Sequence, residues 1–284
     1  MTIFFAAAGS QVQAGSLPDM LKSASRNGAY VAPSALEVEQ AEALFQRCFA
    51  KCDDQAVIQG WQQLGFEVLQ AEHGGQALTV IREKSDAKQG RGFYVFYPES
   101  NGSTVLEAPH SFKDENTREI QLSLLAGGRF RAAAWNTVPR HYELNGMTVD
   151  ADMAHLQGTY FLAFSRAFAS HLPAGKLVQL HGFAQGKRRS GAGFDAEMVV
   201  SSGSQVQTGS MLQLGHCLQR ADLGKIRLYP TEIHELGATT NSIGNALRAQ
   251  GHAGFVHIEM SAQARLVLLN DKSQRAKFLK CLEK

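Results

Sequence analysis

From residue 104 to residue 260 short apolar runs alternate with longer stretches of helical periodicity, and this order limits the fold more than any other feature. Residues 104–108 (Thr-Val-Leu-Glu-Ala) read as a strand, and 116–126 as a helix with Asn116 as its cap and Glu119 as the capping-box partner. A short strand over 131–135 follows, then a helix over 153–170 that Leu172-Pro173 ends, and an apolar strand over 176–180. Strands over 197–201, 225–229 and 254–260 are separated by helices over 209–221 and 241–250, and a last helix covers 271–282. Parallel strands need long crossovers, which helices supply. The order therefore predicts an α/β fold of three layers, an open and mostly parallel sheet with helices on both faces.

Upstream the pattern is different. Residues 1–34, rich in Ala, Gly, Ser and Gln, are expected outside the core as a leader, either flexible or the remnant of a trimmed signal; residues 35–284 are expected to form one domain. Ser34 precedes helical spacing at Leu36, Val38, Ala41, Leu44 and Phe45, a second helix is expected over 56–64, and strands over 66–70, 77–82 and 92–97. The apolar stretch Ile3 to Ala8 has no positive charge before it, unlike a secretory signal. Among the four cysteines, Cys48 and Cys52 lie one helical turn apart, within reach of a strained bridge or none, while Cys217 and Cys281 stand alone. No Cys-x-x-Cys pair is present, which argues against a thiolate zinc site. A net charge of +2 is too mild to point to a nucleic-acid partner, and no run reaches the roughly 18 apolar residues of a membrane span.

In open α/β sheets the site lies beyond the carboxyl ends of the strands. The strand over 104–108 delivers Pro109-His110, the strand over 176–180 delivers His181, and the last strand carries Glu259. Asp114 and Glu115 follow His110 within a few residues. Two neutral imidazoles and a carboxylate suit a catalytic zinc ion, which takes three protein ligands and leaves a position open. His110, Asp114 and His181 are the expected metal ligands, and Glu259 the base that takes a proton from water. Each has a plainer reading: a histidine after a strand is often only hydrogen-bonded, and Glu259 could pair with Arg265. Asp152 and His155 lie one turn apart, to orient a ligand, touch substrate or start a helix. Asn241 could cap its helix or also contact substrate. The run Lys187-Arg188-Arg189 is a solvated loop face or a substrate contact; His73 belongs to a turn, and His216, His234 and His252 are structural or exposed. Neither a Gly-x-Ser-x-Gly elbow nor a P-loop occurs, and Gly191-Ala-Gly193 lacks the third glycine of a dinucleotide loop.

As an ordered set, Glu-Ala-Pro-His110 with Asp114, Gln-Leu-His181-Gly-Phe and His-Ile-Glu259-Met resembles hydrolases of the zinc carboxypeptidase fold over residues 90–270. It is nearer to the N-formylglutamate amidohydrolase and bacteriophage poly-gamma-glutamate hydrolase branches than to digestive carboxypeptidases. The resemblance implies a mixed sheet of about eight strands, one Zn2+, and hydrolysis of an amide near a carboxylate. The substrate is then a small peptide, an N-acyl amino acid or a cell-wall-type compound. Arg140 and Asn136 fall where related hydrolases grip a substrate carboxylate, a job that suits the planar fork of Arg140; a surface salt bridge is the other reading of that arginine. One departure matters: digestive members space their first ligands as His-x-x-Glu, whereas residue 113 is Lys, so the acid must be Asp114 or Glu115. That lysine also leaves a rival reading, a non-catalytic ligand- or peptide-binding protein on a degenerate scaffold; a deacetylase would use the same ligand set. By analogy the protein is expected to be bacterial and periplasmic or secreted.

Overall fold

A computed structural model describes residues 15–25 and 29–284. The chain begins with α1 (Leu17–Ala24), α2 (Ala35–Lys51) and α3 (Gln55–Gln63), then the strands β1 (Phe66–His73), β2 (Gln76–Glu83) and β3 (Phe93–Phe96). Next come β4 (Thr104–Ala108), α4 (Thr117–Gly127), β5 (Ala132–Trp135), the hairpin β6 (His141–Leu144) and β7 (Met147–Asp150), α5 (Tyr160–His171) and β8 (Lys176–Gly182). The last part holds α6 (Gly191–Asp195), β9 (Met198–Ser201), α7 (Gly209–Arg220), β10 (Ile226–Leu228), α8 (Ser242–Ala249), β11 (Phe255–Met260), α9 (Ala262–Asn270) and α10 (Lys272–Leu282).

Nine strands form one sheet in the order β1-β2-β3-β5-β4-β8-β11-β9-β10, and β6 pairs only with β7. The sheet is mixed, as expected. Its centre, β5-β4-β8-β11, is parallel, and β9 is parallel to β10. The junctions β1/β2, β2/β3, β3/β5 and β11/β9 are antiparallel, so parallel pairing does not predominate. The cause is local at β1/β2: Gly74 and Gly75, both at positive φ (60° and 75°), close a two-residue hairpin instead of a crossover.

Period-two alternation gives each face of the sheet its own core. Leu106, Ala108, Val178, Leu180, Val256 and Ile258 pack with α1, α4, α7, α9 and α10. Val105, Leu177 and Phe255 face α2, α3, α5 and α8, where Phe45, Trp61, Tyr94 and Phe164 make an aromatic cluster. Helices thus cover both faces. Among the described residues no helix is long and apolar enough to cross a membrane.

Several local expectations are corrected. Residues 17–24 do not lie outside the core: α1 buries Leu17, Met20, Leu21 and Ala24, because its apolar residues recur at helical spacing behind a Ser16 cap. Residues 1–14, where a signal remnant was expected, fall outside the described residues. Asn116 adopts a left-handed conformation (φ 68°) and its side chain makes no cap, while Glu119 pairs with Arg118. Helix α5 starts at Tyr160, capped by Thr159, rather than at 153; residues 152–155 form a turn closed by the His155 N–H on Asp152 O at 2.9 Å. Cys217 and Cys281 do not stand alone. They form a disulfide between α7 and α10, and Cys48 and Cys52 form another at the end of α2.

Candidate metal centre

The carboxyl ends of β4, β8 and β11 lie side by side. His181 on β8 sits directly opposite Glu259 on β11, and Gln179 opposite both Glu107 on β4 and His257 on β11. Since every second residue of a strand shares a face, Glu107, Gln179, His181, His257 and Glu259 form one polar stripe.

Beyond β4 the chain turns at once. The N–H groups of Lys113 and Asp114 both donate to His110 O at 2.9 Å, folding the segment so that Asp114 returns over the His110 ring. Asp114 is buried, whereas Lys113 and Glu115 on either side are exposed. Asp114 Oδ2 lies 3.4 Å from His110 Nδ1 and 3.4 Å from His181 Nδ1, and the two nitrogens are 3.1 Å apart. The Gly182 N–H donates to the same oxygen at 3.0 Å. Three ligands of a tetrahedral zinc ion, at about 2.0–2.1 Å from it, are separated from one another by about 3.3 Å. The observed triangle has that size, so His110, Asp114 and His181 fit a zinc ion.

The buried histidines and aspartates shift one another's titration. Burial pulls the His110 imidazolium down, but Asp114 and Asp152 outweigh it and raise the pKa to about 9. His181 is lowered, first by burial and then, despite Asp114, by the charge on His110. Of the two facing rings, His110 therefore holds the extra proton and His181 is neutral. Asp114 and Asp152 resist the effect of burial through hydrogen bonds with the histidines and stay below the usual carboxylate range. A metal ion entering this triangle must displace the His110 proton.

Glu259 borders the same cavity of about 170 Å³, together with His110, Asp114, His181, His257, His155, Arg140 and Asn241. Burial, helped by the charge of Asp114, pushes its carboxyl up to about 8. Its Oε2 has no hydrogen-bond partner. Arg265 does not pair with it; that guanidinium donates to Met260 O at 2.5 Å.

The remaining candidates divide. Arg140 lines the cavity with its Nε 3.5 Å from Asp152 Oδ2, and His155 places Nδ1 3.0 Å from Asp152 Oδ1. Asn241 caps α8 through the Gly244 N–H (2.9 Å) and also reaches Gln179 Oε1 (2.8 Å) at the cavity wall. Asn136 is not brought to the site: its amide closes a turn on Val138. Of the basic run, Lys187 and Arg189 are exposed, and Arg188 lies over the Phe183 ring and 3.8 Å from Glu235. His73 bonds Leu122 O, His216 meets Gln219 and His234 is exposed, while buried His252 accepts the Gly254 N–H.

Three participants escaped the sequence reading. His257 stacks on His181 with ring centroids 4.4 Å apart and brings Nε2 to 3.8 Å from Glu259 Oε1. Gln179 touches the back of His181, and Glu107 holds Gln179. Strict alternation along buried strands would have found His257 and Gln179, which stand two residues from Glu259 and His181; Glu107 follows only once Gln179 is known, since it lies directly opposite that residue. Asp152 was noted only beside His155; it is also the partner of His110 Nε2, at 2.8 Å.

No protein-family model matches the chain, and no curated protein matches it. Among solved structures, it is similar to the N-formylglutamate amidohydrolase from Ralstonia eutropha JMP134, with a TM-score of 0.43 and 10% identity over 68% of this chain and 97% of that one. A bacteriophage poly-gamma-glutamate hydrolase gives 0.37 and 9% over 65% and 83%. An aspartoacylase family protein from Mesorhizobium loti gives 0.35 and 12% over 72% and 66%.

Proposed function

We propose that the protein is a zinc-dependent hydrolase that cleaves an amide or peptide bond near a carboxylate, with Glu259 as general base. The observation that carries this reading is the convergence of His110 Nδ1, His181 Nδ1 and Asp114 Oδ2 on one triangle beside the unpaired carboxylate oxygen of Glu259. Zinc, when bound, supplies a Lewis acid for a carbonyl oxygen and makes a water acidic near neutral pH. The chain's own residues do the rest. Glu259 takes a proton from water at its unpartnered Oε2 and returns it to the departing nitrogen. Asp152 keeps His110 in the orientation that aims Nδ1 at the triangle. Arg140 offers its planar fork to a substrate carboxylate at the cavity wall, and His155 and Asn241 give polar contacts. A cavity of about 170 Å³ suits a small acyl group or residue with the rest of the substrate outside, consistent with a small peptide, an N-acyl amino acid or a cell-wall-type compound. Lys113 is exposed and does not border the cavity, so it does not obstruct the triangle, which supports the hydrolase over the binding-module reading. Two disulfides are cross-links that persist in oxidising compartments, which supports a periplasmic or secreted location.

The test is turnover by the zinc-loaded protein on a panel of N-acyl amino acids, short peptides and wall-stem peptides. Turnover that Glu259→Gln abolishes without loss of metal is the expected result. Full activity in that variant removes Glu259 from the base role; no turnover on any class, with zinc bound, overturns the hydrolase reading.

A further inference from the structure

Beneath His181 runs a chain of fully buried polar groups for which the reaction above has no use. Ser165 Oγ lies 2.6 Å from Glu107 Oε1; Gln179 Nε2 donates to Glu107 Oε2 at 2.8 Å; and Gln179 Oε1 faces His181 Nε2 at 3.4 Å. Glu107, Ser165 and Gln179 are each 0% exposed. Buried polar groups are costly unless paired, so a chain this deep requires a reason.

Counting donors and acceptors supplies one. The orientation of the Gln179 amide is fixed twice. Its nitrogen is spent on the Glu107 carboxylate, and its oxygen receives the Asn241 Nδ2–H at 2.8 Å. Asn241 cannot be turned round, because its own oxygen accepts the Gly244 N–H at the start of α8. Gln179 therefore presents only an acceptor to His181, and His181 must carry its proton on Nε2. Its Nδ1 is then a lone pair aimed at His110 and Asp114. The other side of the triangle is arranged the same way, with Asp152 accepting from His110 Nε2 at 2.8 Å.

We propose that Gln179, held by Glu107 and Asn241, is a positioning residue that sets the tautomer and ring orientation of His181 and so prepares Nδ1 for the metal. The inference rests on the metal-centre reading, but its primary test does not require metal. Long-range 1H–15N spectra of the metal-free full chain, with His181 assigned by its Asn variant, report which ring nitrogen carries the proton. The wild type is expected to show the Nε2–H form. In Gln179→Leu the Nδ1–H form should appear, and zinc affinity, measured by chelator competition, should fall about 10- to 100-fold. The double variant E107Q/Q179E reverses the direction of the amide–carboxylate contact yet keeps an acceptor facing His181; it should restore the Nε2–H form and bring affinity back to within a few-fold of wild type. A wild type in the Nδ1–H form overturns the proposal, whatever the variants do. So does a Gln179→Leu protein that keeps both the Nε2–H form and full zinc affinity. If the wild type binds no zinc, the metal-centre reading fails, and the spectra still decide the tautomer.

Discussion

Residues 105–108, 177–182 and 255–260 build both faces of the central sheet, and the two faces are chemically opposite. Toward α4, α7 and α9 they place Leu106, Ala108, Val178, Leu180, Val256, Ile258 and Met260. Toward α5 and α8 they begin with Val105, Leu177 and Phe255, then change to Glu107, Gln179, His181, His257 and Glu259 as the strands near their carboxyl ends. The apolar face is stabilised by area removed from water, roughly 25 cal/mol per Å². The polar face is tolerated only where each group finds a partner. Ser165 and Gln179 satisfy Glu107; Asn241 and Glu107 satisfy Gln179; His110 meets His181. Within this stripe the unpartnered atoms are Glu259 Oε2 and His257 Nδ1, and both residues border the cavity.

The contrast breaks most sharply at Glu259. Glu259→Gln keeps the shape of the stripe and removes the proposed base, so kcat should fall about 10²–10⁴-fold with metal content unchanged. One residue from His181 on the opposite face, Leu180→Ala should do the reverse: a loss of about 2–5 kcal/mol in denaturant unfolding, with metal and kcat preserved in the folded protein. A catalytic defect in Leu180→Ala as large as that in Glu259→Gln would show that the faces are not functionally separate.

Glu107→Gln sharpens the comparison through pH. Burial raises the Glu107 carboxyl from 4.5 to about 7, against the hydrogen bonds from Ser165 and Gln179. For a raised acid the folded state holds the proton more tightly, so the contribution to stability is complete below about 4.5 and is lost as pH rises through about 7. Metal-free wild type should lose about 3 kcal/mol relative to Glu107→Gln between pH 4 and pH 8. Parallel stability curves for the two proteins would mean that Glu107 is ionised in the fold. The smallest effect is expected at Arg140, whose replacement by Lys keeps the charge but loses the planar fork. KM for a carboxylate-bearing substrate should rise roughly tenfold with little change in kcat.

Much of the fold was legible because periodicity and strand-end punctuation are local. The strands at 104–108, 176–180 and 254–260 lie within two residues of β4, β8 and β11, and His110, His181 and Glu259 followed from reading their ends. What was missed depends on partners remote in sequence. The antiparallel share of the sheet follows from which strands pair, and Cys217 meets Cys281 only because α7 lies against α10. The β6/β7 hairpin buries little of itself, so it has no strong apolar alternation to read. Asp114 and Glu115 could not be separated on paper; the turn at His110 O separates them by burying one and exposing the other. Gln179 stayed hidden because a neutral amide inside an apolar run looks like a packing residue until its partners are known.

The most direct test of the central claim is the zinc content of the purified full-length protein by elemental analysis, beside His110→Ala and His181→Ala. About one zinc per chain in the wild type, as for a site with three protein ligands and one open position, and none in either folded variant is the predicted result. Stoichiometric zinc retained in both variants, or no zinc in the wild type after it is supplied, would contradict the assignment of His110, Asp114 and His181 as the metal centre.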